Sequence, residues 1–253
     1  VGLSGGVDSA LTVALASEAL GSENVLSVLM PSQYSSNHSV DDSMELVKNL
    51  NSPFKIIPIK EVYDAYEKML NPHFENHLPN VTEENIQARI RGNYLMALSN
   101  KFGYILLNTT NKSEAAVGYG TLYGDLCGGI GVLGDVYKTE VYKVCEVINK
   151  EKTIIPTHIL EKAPSAELRP GQKDSDSLPE YSILDPLLYD YIENELGLDE
   201  LIEKGYEPAL VQRILKMVNR AEFKRYQTPP MIRVSQKAFG MGRRLPIVGK
   251  YLD

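Results

Sequence analysis

The sequence predicts an α/β fold with a doubly wound parallel sheet and a helical C-terminal extension. Three observations carry that expectation. Short apolar runs alternate with helix-periodic segments from residue 1 to residue 107, a glycine turn joins the first run to the first helix, and helical pieces follow one another from Asp185 to Arg225.

Val1-Gly2-Leu3 reads as the end of a buried strand, and the absence of a leading Met leads us to expect a longer polypeptide. Ser9 to Leu20 has helical apolar spacing with Gly21 as its stop. Val25 to Met30 is a continuous apolar strand closed by Pro31, and Ser39 with Asp42 resembles a capping box for a helix over Val40 to Leu50. Phe54 to Ile59 gives a third, proline-interrupted strand. Helices follow over Val62 to Leu70 and Glu83 to Lys101, then a strand over Tyr104 to Leu107. In such sheets ligands sit beyond the carboxyl ends of the strands, which makes the loops after Leu3, Met30 and Leu107 the candidates for a site. The stretch from Asn108 to Gly134, rich in Gly, Thr and Tyr, reads as a long functional loop. A helix is expected over Lys138 to Asn149, then a Pro-, Asp- and Ser-rich segment from Pro156 to Pro179, and after the helical pieces a basic irregular tail over residues 220–253.

Composition narrows the function. The chain of 253 residues is 43% hydrophobic and 23% charged, ordinary for one globular domain able to fold without cross-links. Cys127 and Cys145 have neither metal nor redox spacing, so reduced thiols in a cytoplasmic protein are expected. No run of 18 apolar residues or signal sequence is present, which argues against a membrane role. A net charge of -7 argues against nucleic acid as partner, although Arg220 to Asp253 carries eight Lys or Arg against two acids. His73 and His77 are spaced for a metal on a helix, but Pro72 and Pro79 oppose a helix there. Of Tyr119, Tyr123 and Tyr137, the last reads as core.

Ser4-Gly5-Gly6-Val7-Asp8-Ser9, between a strand and a helix, carries the most chemistry. Two glycines let backbone N–H groups converge on an anion, the helix N-terminus adds unpaired donors and its dipole, and the hydroxyls of Ser4 and Ser9 add two more donors. Without Gly-Lys-Ser/Thr this is not the loop whose lysine reaches β- and γ-phosphates. The hexapeptide resembles the pyrophosphate loop of the ATP pyrophosphatase superfamily, with its Rossmann-like sheet and cleavage of ATP between the α- and β-phosphates.

Asn108-Thr109-Thr110-Asn111-Lys112-Ser113-Glu114, with Gly118-Tyr119, Tyr123-Gly124-Asp125 and Leu133-Gly134-Asp135-Val136-Tyr137-Lys138-Thr139, resembles the signature of NAD synthetases. Asn85 with Arg89 and Arg91, Pro164-Ser165-Ala166-Glu167-Leu168 and Phe223-Lys224-Arg225 extend the match over nearly the whole chain. The resemblance implies ATP- and Mg²⁺-dependent amidation of deamido-NAD through an adenylated carboxylate. It assigns ATP to Gly2, Leu3, Ser4, Gly5, Gly6, Val7, Asp8, Ser9, Thr109, Lys138 and Ser165, and Mg²⁺ to Asp8 and Glu114. Catalytic roles fall to Asp8, Glu114, Lys138 and Lys224, and deamido-NAD contacts to Asn85, Arg91, Glu114, Tyr119, Asp125 and Lys224. Lys224 and Arg225 are expected to close over the site. Asn111 stands where some relatives have His. The resemblance further implies a homodimer or higher homo-oligomer. The sequences Pro229-Pro230-Met231-Ile232-Arg233-Val234, Ala238-Phe239-Gly240 and Arg243-Arg244-Leu245-Pro246-Ile247 resemble the glutamine-dependent type, so an upstream nitrilase-like glutaminase domain is expected to supply ammonia. Two alternatives remain open at this level: another amidating or thiolating superfamily member such as a GMP synthetase, and a nucleotide sensor without turnover.

Overall fold

The computed structural model describes residues 1–249, the side chain of Asn37 apart, so the end of the expected tail at 250–253 lies outside the described residues. β1 (Ser27–Leu29) is the hub of the first half. It pairs in parallel with β2 (Phe54–Ile56) on one side and with the chain at Gly2 on the other, where Leu3 N–H donates to Val28 O at 2.9 Å. Its successive side chains face opposite cores. Leu29 packs with α1 (Val7–Leu20), α2 (Asn37–Leu50) and α6 (Lys138–Ile148), whereas Val28 and Met30 pack with α3 (Lys60–Leu70) and α4 (Val81–Phe102). Helices on both faces are what the apolar run Val25 to Met30 requires of a parallel strand. Fully buried side chains such as Leu11 and Leu46 each contribute about 1.5–3 kcal/mol to this layer.

A second parallel ladder joins β3 (Leu107–Asn108) to β4 (Ile130–Gly131), and Gly131 pairs in turn with Met231. Leu107 and Val132 pack on the same core as Leu29, so the two ladders, separate two-stranded sheets among the described residues, share one core. A further core gathers α5 (Lys112–Val117), α8 (Tyr181–Ile192), α9 (Leu198–Glu203) and α10 (Pro208–Arg220), the expected helical extension, with Phe239 of the tail and Tyr137. Between α6 and α8 lies the short α7 (Thr157–Glu161), and α11 (Glu222–Arg225) closes the series.

Three boundaries differ from the sequence reading. Ser36, not Ser39, caps α2, its hydroxyl oxygen accepting from Ser39 N–H, because Ser39 lies inside the first turn. The strand expected at Tyr104 to Leu107 begins only at Leu107, since Tyr104 and Ile105 are exposed and carry no ladder partner among the described residues. The loop from Asn108 to Gly134 holds α5 and β4. His73 ends a 3₁₀ turn, so His73 and His77 do not share a helix.

Candidate active site

The carboxyl ends of Val1–Leu3, β1 and β3 open into one cleft of about 640 Å³. Its wall includes Gly2, Leu3, Ser4, Gly6, Val7, Asp8, Ser9, Thr109, Lys138 and Ser165 of the expected ATP set, and Asn85, Arg91, Glu114, Tyr119, Asp125 and Lys224 of the expected acceptor set. Gly5 stands behind the wall. Its φ of +82° and its packing on the Ser39 backbone, which a Cβ would strike, explain why glycine occupies that position.

In α1 the first N–H to reach a carbonyl of the helix is that of Ala10, on Gly6 O at 3.1 Å, so the N–H groups of Val7, Asp8 and Ser9 have no intrahelical acceptor. One part of the sequence reading needs correction here. The Ser9 hydroxyl does not donate outward: it donates to Gly6 O at 3.0 Å and accepts from Ser4 N–H at 3.2 Å, tying the loop together. Ser4 is exposed at the cleft, its Oγ accepting from Gly6 N–H.

Asp8 and Glu114 converge on Lys138. Lys138 Nζ donates to Asp8 Oδ2 and lies 3.9 Å from Glu114 Oε1. Asn111 fixes both acids. Its Nδ2 donates to Asp8 Oδ1 at 2.9 Å, its Oδ1 accepts from Glu114 N–H at 2.9 Å, and its own N–H donates to Glu114 Oε2 at 3.2 Å. Burial, then the charge of Asp8, push the Glu114 carboxyl well above its ordinary range, and Lys138 opposes them only in part. Burial disfavours the Lys138 ammonium, but Asp8 and Glu114 reverse that and hold its pKa above the usual lysine value. Mg²⁺ uses one or two carboxylates and completes its shell with phosphate oxygens and water, a requirement this hard-oxygen pair fits.

Elsewhere in the cleft lining, Asp125 accepts from Thr121 N–H at 2.9 Å and the Thr121 hydroxyl donates to Asn85 Oδ1 at 2.8 Å. Burial raises the Asp125 carboxyl, with the Thr121 bond opposing. Arg91 Nε donates to Met30 O at 3.0 Å, and burial lowers its guanidinium to about 10. Lys224 Nζ donates to Gly118 O and Gly120 O, each at 2.8 Å, and burial lowers its pKa. Lys224 thus braces the loop that carries Tyr119. Arg225, expected to close over the site, does not line the cleft: its buried guanidinium donates to Ala115 O, Ala116 O and Val218 O. Those carbonyls belong to helix ends that need such donors.

Sequence reasoning missed Asp174 and gave Glu167 and Asn111 no role of their own. Asp174 lines the cleft and accepts from the hydroxyls of Tyr119 at 3.2 Å and Tyr181 at 3.0 Å. Glu167 accepts from the Ser36 and Ser39 hydroxyls at 3.0 and 2.8 Å and from Lys162 at 2.6 Å, fastening the segment that contains Ser165 to α2. The Ser165 hydroxyl donates to Gln172 O at 2.6 Å within that segment. Asn111 carried a readable signal, an Asn three residues before a Glu, the pattern of a capping box. Nothing local showed the partners of Asp174 or Glu167, because those partners lie far away in sequence.

Parallel ladders between helices, with a glycine loop that opens α1 over a cleft floored by two carboxylates and a lysine, define a domain of the Rossmann-like ATP pyrophosphatase fold. Residues 1–228 match the family model described as NAD synthase, and the chain belongs to that family. It is 51% identical over 98% of its length to a glutamine-dependent NAD(+) synthetase of Synechocystis sp., covering 44% of that protein. The solved glutamine-dependent NAD+ synthetase of Acinetobacter baumannii, in complex with ADP, is 43% identical with a TM-score of 0.63, over 98% of this chain and 45% of that one. That of Cytophaga hutchinsonii, at 19% identity, shares the fold with a TM-score of 0.82, over 98% of this chain and 50% of that one. The chain spans about half the length of the curated relatives it matches.

Proposed function

We propose that this chain amidates deamido-NAD to NAD, using ATP to adenylate the nicotinate carboxylate and ammonia to displace AMP. The observation that carries the reading is the placement of Lys138, shared between Asp8 and Glu114, beside the unpaired N–H groups at the start of α1. Loop and lysine supply positive potential for the pyrophosphate, and Asp8 and Glu114 would hold Mg²⁺, which neutralises phosphate charge when bound.

A carboxylate does not exchange oxide for ammonia, so the oxygen must first become a leaving group. The ionised carboxylate attacks the α-phosphorus and pyrophosphate departs. Ammonia then adds to the acyl carbon, AMP leaves with the carboxylate oxygen, and a proton is lost from nitrogen. Placement in line and exclusion of water are the tasks of this chain's residues. Asn85, Arg91, Asp125 and Tyr119 line the same cleft as the loop and would orient the acceptor.

The ammonia source is assigned to a separate glutaminase domain, supported by relatives about twice as long that are named glutamine-dependent. Neither cysteine offers an internal glutaminase nucleophile. Burial pushes the Cys145 thiol up to about 12 and raises that of Cys127, the reverse of activation. The family resemblance supports a cytoplasmic homo-oligomer, and no described helix is long and apolar enough to cross a membrane.

The test supplies these 253 residues with Mg-ATP and deamido-NAD plus either ammonia or glutamine. NAD is expected with ammonia alone. Equal NAD formation from glutamine overturns the division of labour, and none from ammonia overturns the reading.

A further inference from the structure

Lys138 leaves its helix from an adverse place. It is the first residue of α6, where unpaired N–H groups and the helix dipole oppose a cation. The preceding Tyr137 offers these groups no hydrogen bond from its side chain, which packs in the core of the helical extension. Other helices meet them instead. Lys138 N–H donates to Ser113 Oγ at 2.9 Å, and Thr139 N–H donates to Asp185 Oδ2 at 2.8 Å. The Ser113 hydroxyl in turn donates to Asp185 Oδ1 at 2.6 Å. Ser113 lies on α5 one residue before Glu114, and Asp185 lies on α8. Both are buried and neither lines the cleft.

We propose that Ser113 and Asp185 are positioning residues for the amidation, capping α6 from outside and fixing the direction in which Lys138 enters the cleft relative to Glu114. The inference rests on the reading of Lys138 as a ligand of the ATP phosphates. A buried carboxylate at this position is costly where an apolar side chain would pack, and burial raises the Asp185 pKa against the bonds from Ser113 and Thr139. What that carboxylate provides is a rigid acceptor for the end of α6, and its charge faces the positive pole of the helix. The bonds join three helices at one point. Ser113 is the hinge-pin, because it accepts from the lysine's own backbone while its neighbour Glu114 meets the lysine's ammonium.

Calorimetric titration with Mg-ATP, without deamido-NAD, tests this on the intact protein in Ser113→Ala, Asp185→Ala, Asp185→Asn and Lys138→Ala variants. Circular dichroism and thermal midpoints establish which are folded. Ser113→Ala and Asp185→Ala are expected to weaken Mg-ATP by about tenfold, the scale on which groups behind a ligand act. Asp185→Asn, which keeps an acceptor for Thr139 N–H, should recover most of that loss. A merely structural role would lower the thermal midpoint and leave the affinity of the folded protein unchanged. Wild-type affinity in Ser113→Ala, with affinity lost in Lys138→Ala, overturns the inference and leaves the function standing. Wild-type affinity in Lys138→Ala overturns the phosphate role of Lys138 and this inference with it. Should Asp185→Ala not fold, Ser113→Ala decides by itself.

Discussion

Two clusters of the same composition, one lysine between two carboxylates, flank the first turn of α5 and are built to opposite ends. Lys138 with Asp8 and Glu114 faces the cleft, the acid side chains keeping 16% and 17% of their surface exposed. Lys112 with Asp135 and Glu193 is sealed, at 0% and 6%. The sealed ammonium also donates to Ser235 Oγ and Lys237 O, while Asp135 accepts from the N–H groups of Val234 and Ser235. Burial pushes Asp135 upward, yet Lys112 and these donors bring it below its ordinary value, whereas Glu114 stays raised. A complete hydrogen-bond set marks a structural anchor for the tail. An incomplete one marks a site that a ligand completes.

Exchanging the lysines for Met separates the two most strongly. Lys138→Met should reduce AMP formation by about a hundredfold or more while the urea unfolding midpoint stays near wild type, because its partners reach solvent. Lys112→Met should cost about 3–5 kcal/mol of unfolding free energy by leaving two carboxylates buried without their cation. The opposite pattern, instability at Lys138 and lost turnover at Lys112 in a stable fold, would break the comparison.

A smaller effect separates them by pH. Asp135, held below its ordinary 3.8, contributes stability above about pH 4 that is lost as pH falls through its folded value. Asp135→Asn should therefore be less stable than wild type at neutral pH, the gap narrowing under acid. Glu114 has the opposite sign. Raised above 4.5, it disfavours the folded state at neutral pH, a cost that disappears as pH falls from its folded value toward 4.5. Ligand-free Glu114→Gln should be the more stable protein at neutral pH and lose that advantage on acidification. Urea midpoints against pH check both, and gaps of the same sign would contradict the assignment.

What the sequence disclosed follows the range over which each signal acts. The Ser4 to Ser9 loop was legible because glycines and a helix start do their work locally, and the strand Val25 to Met30 because burial on both faces leaves no polar position. Ser36 was missed as a cap since two serines compete within one turn and only geometry chooses between them. Asp185, Asp174 and Glu167 were illegible as partners because their contacts cross 72, 55 and 131 residues. The sealed cluster was hidden for the same reason: nothing local to Lys112 shows that α8 and the tail close over it.

In the proposed reaction the nicotinate carboxylate attacks the α-phosphorus of ATP in the cleft lined by the α1 loop and Lys138. Deamido-NAD carrying ¹⁸O in that carboxylate, turned over with Mg-ATP and ammonia, tests it directly by mass spectrometry of the products. One labelled oxygen is expected in AMP and none in pyrophosphate. Unlabelled AMP, or label in pyrophosphate or orthophosphate, would contradict it.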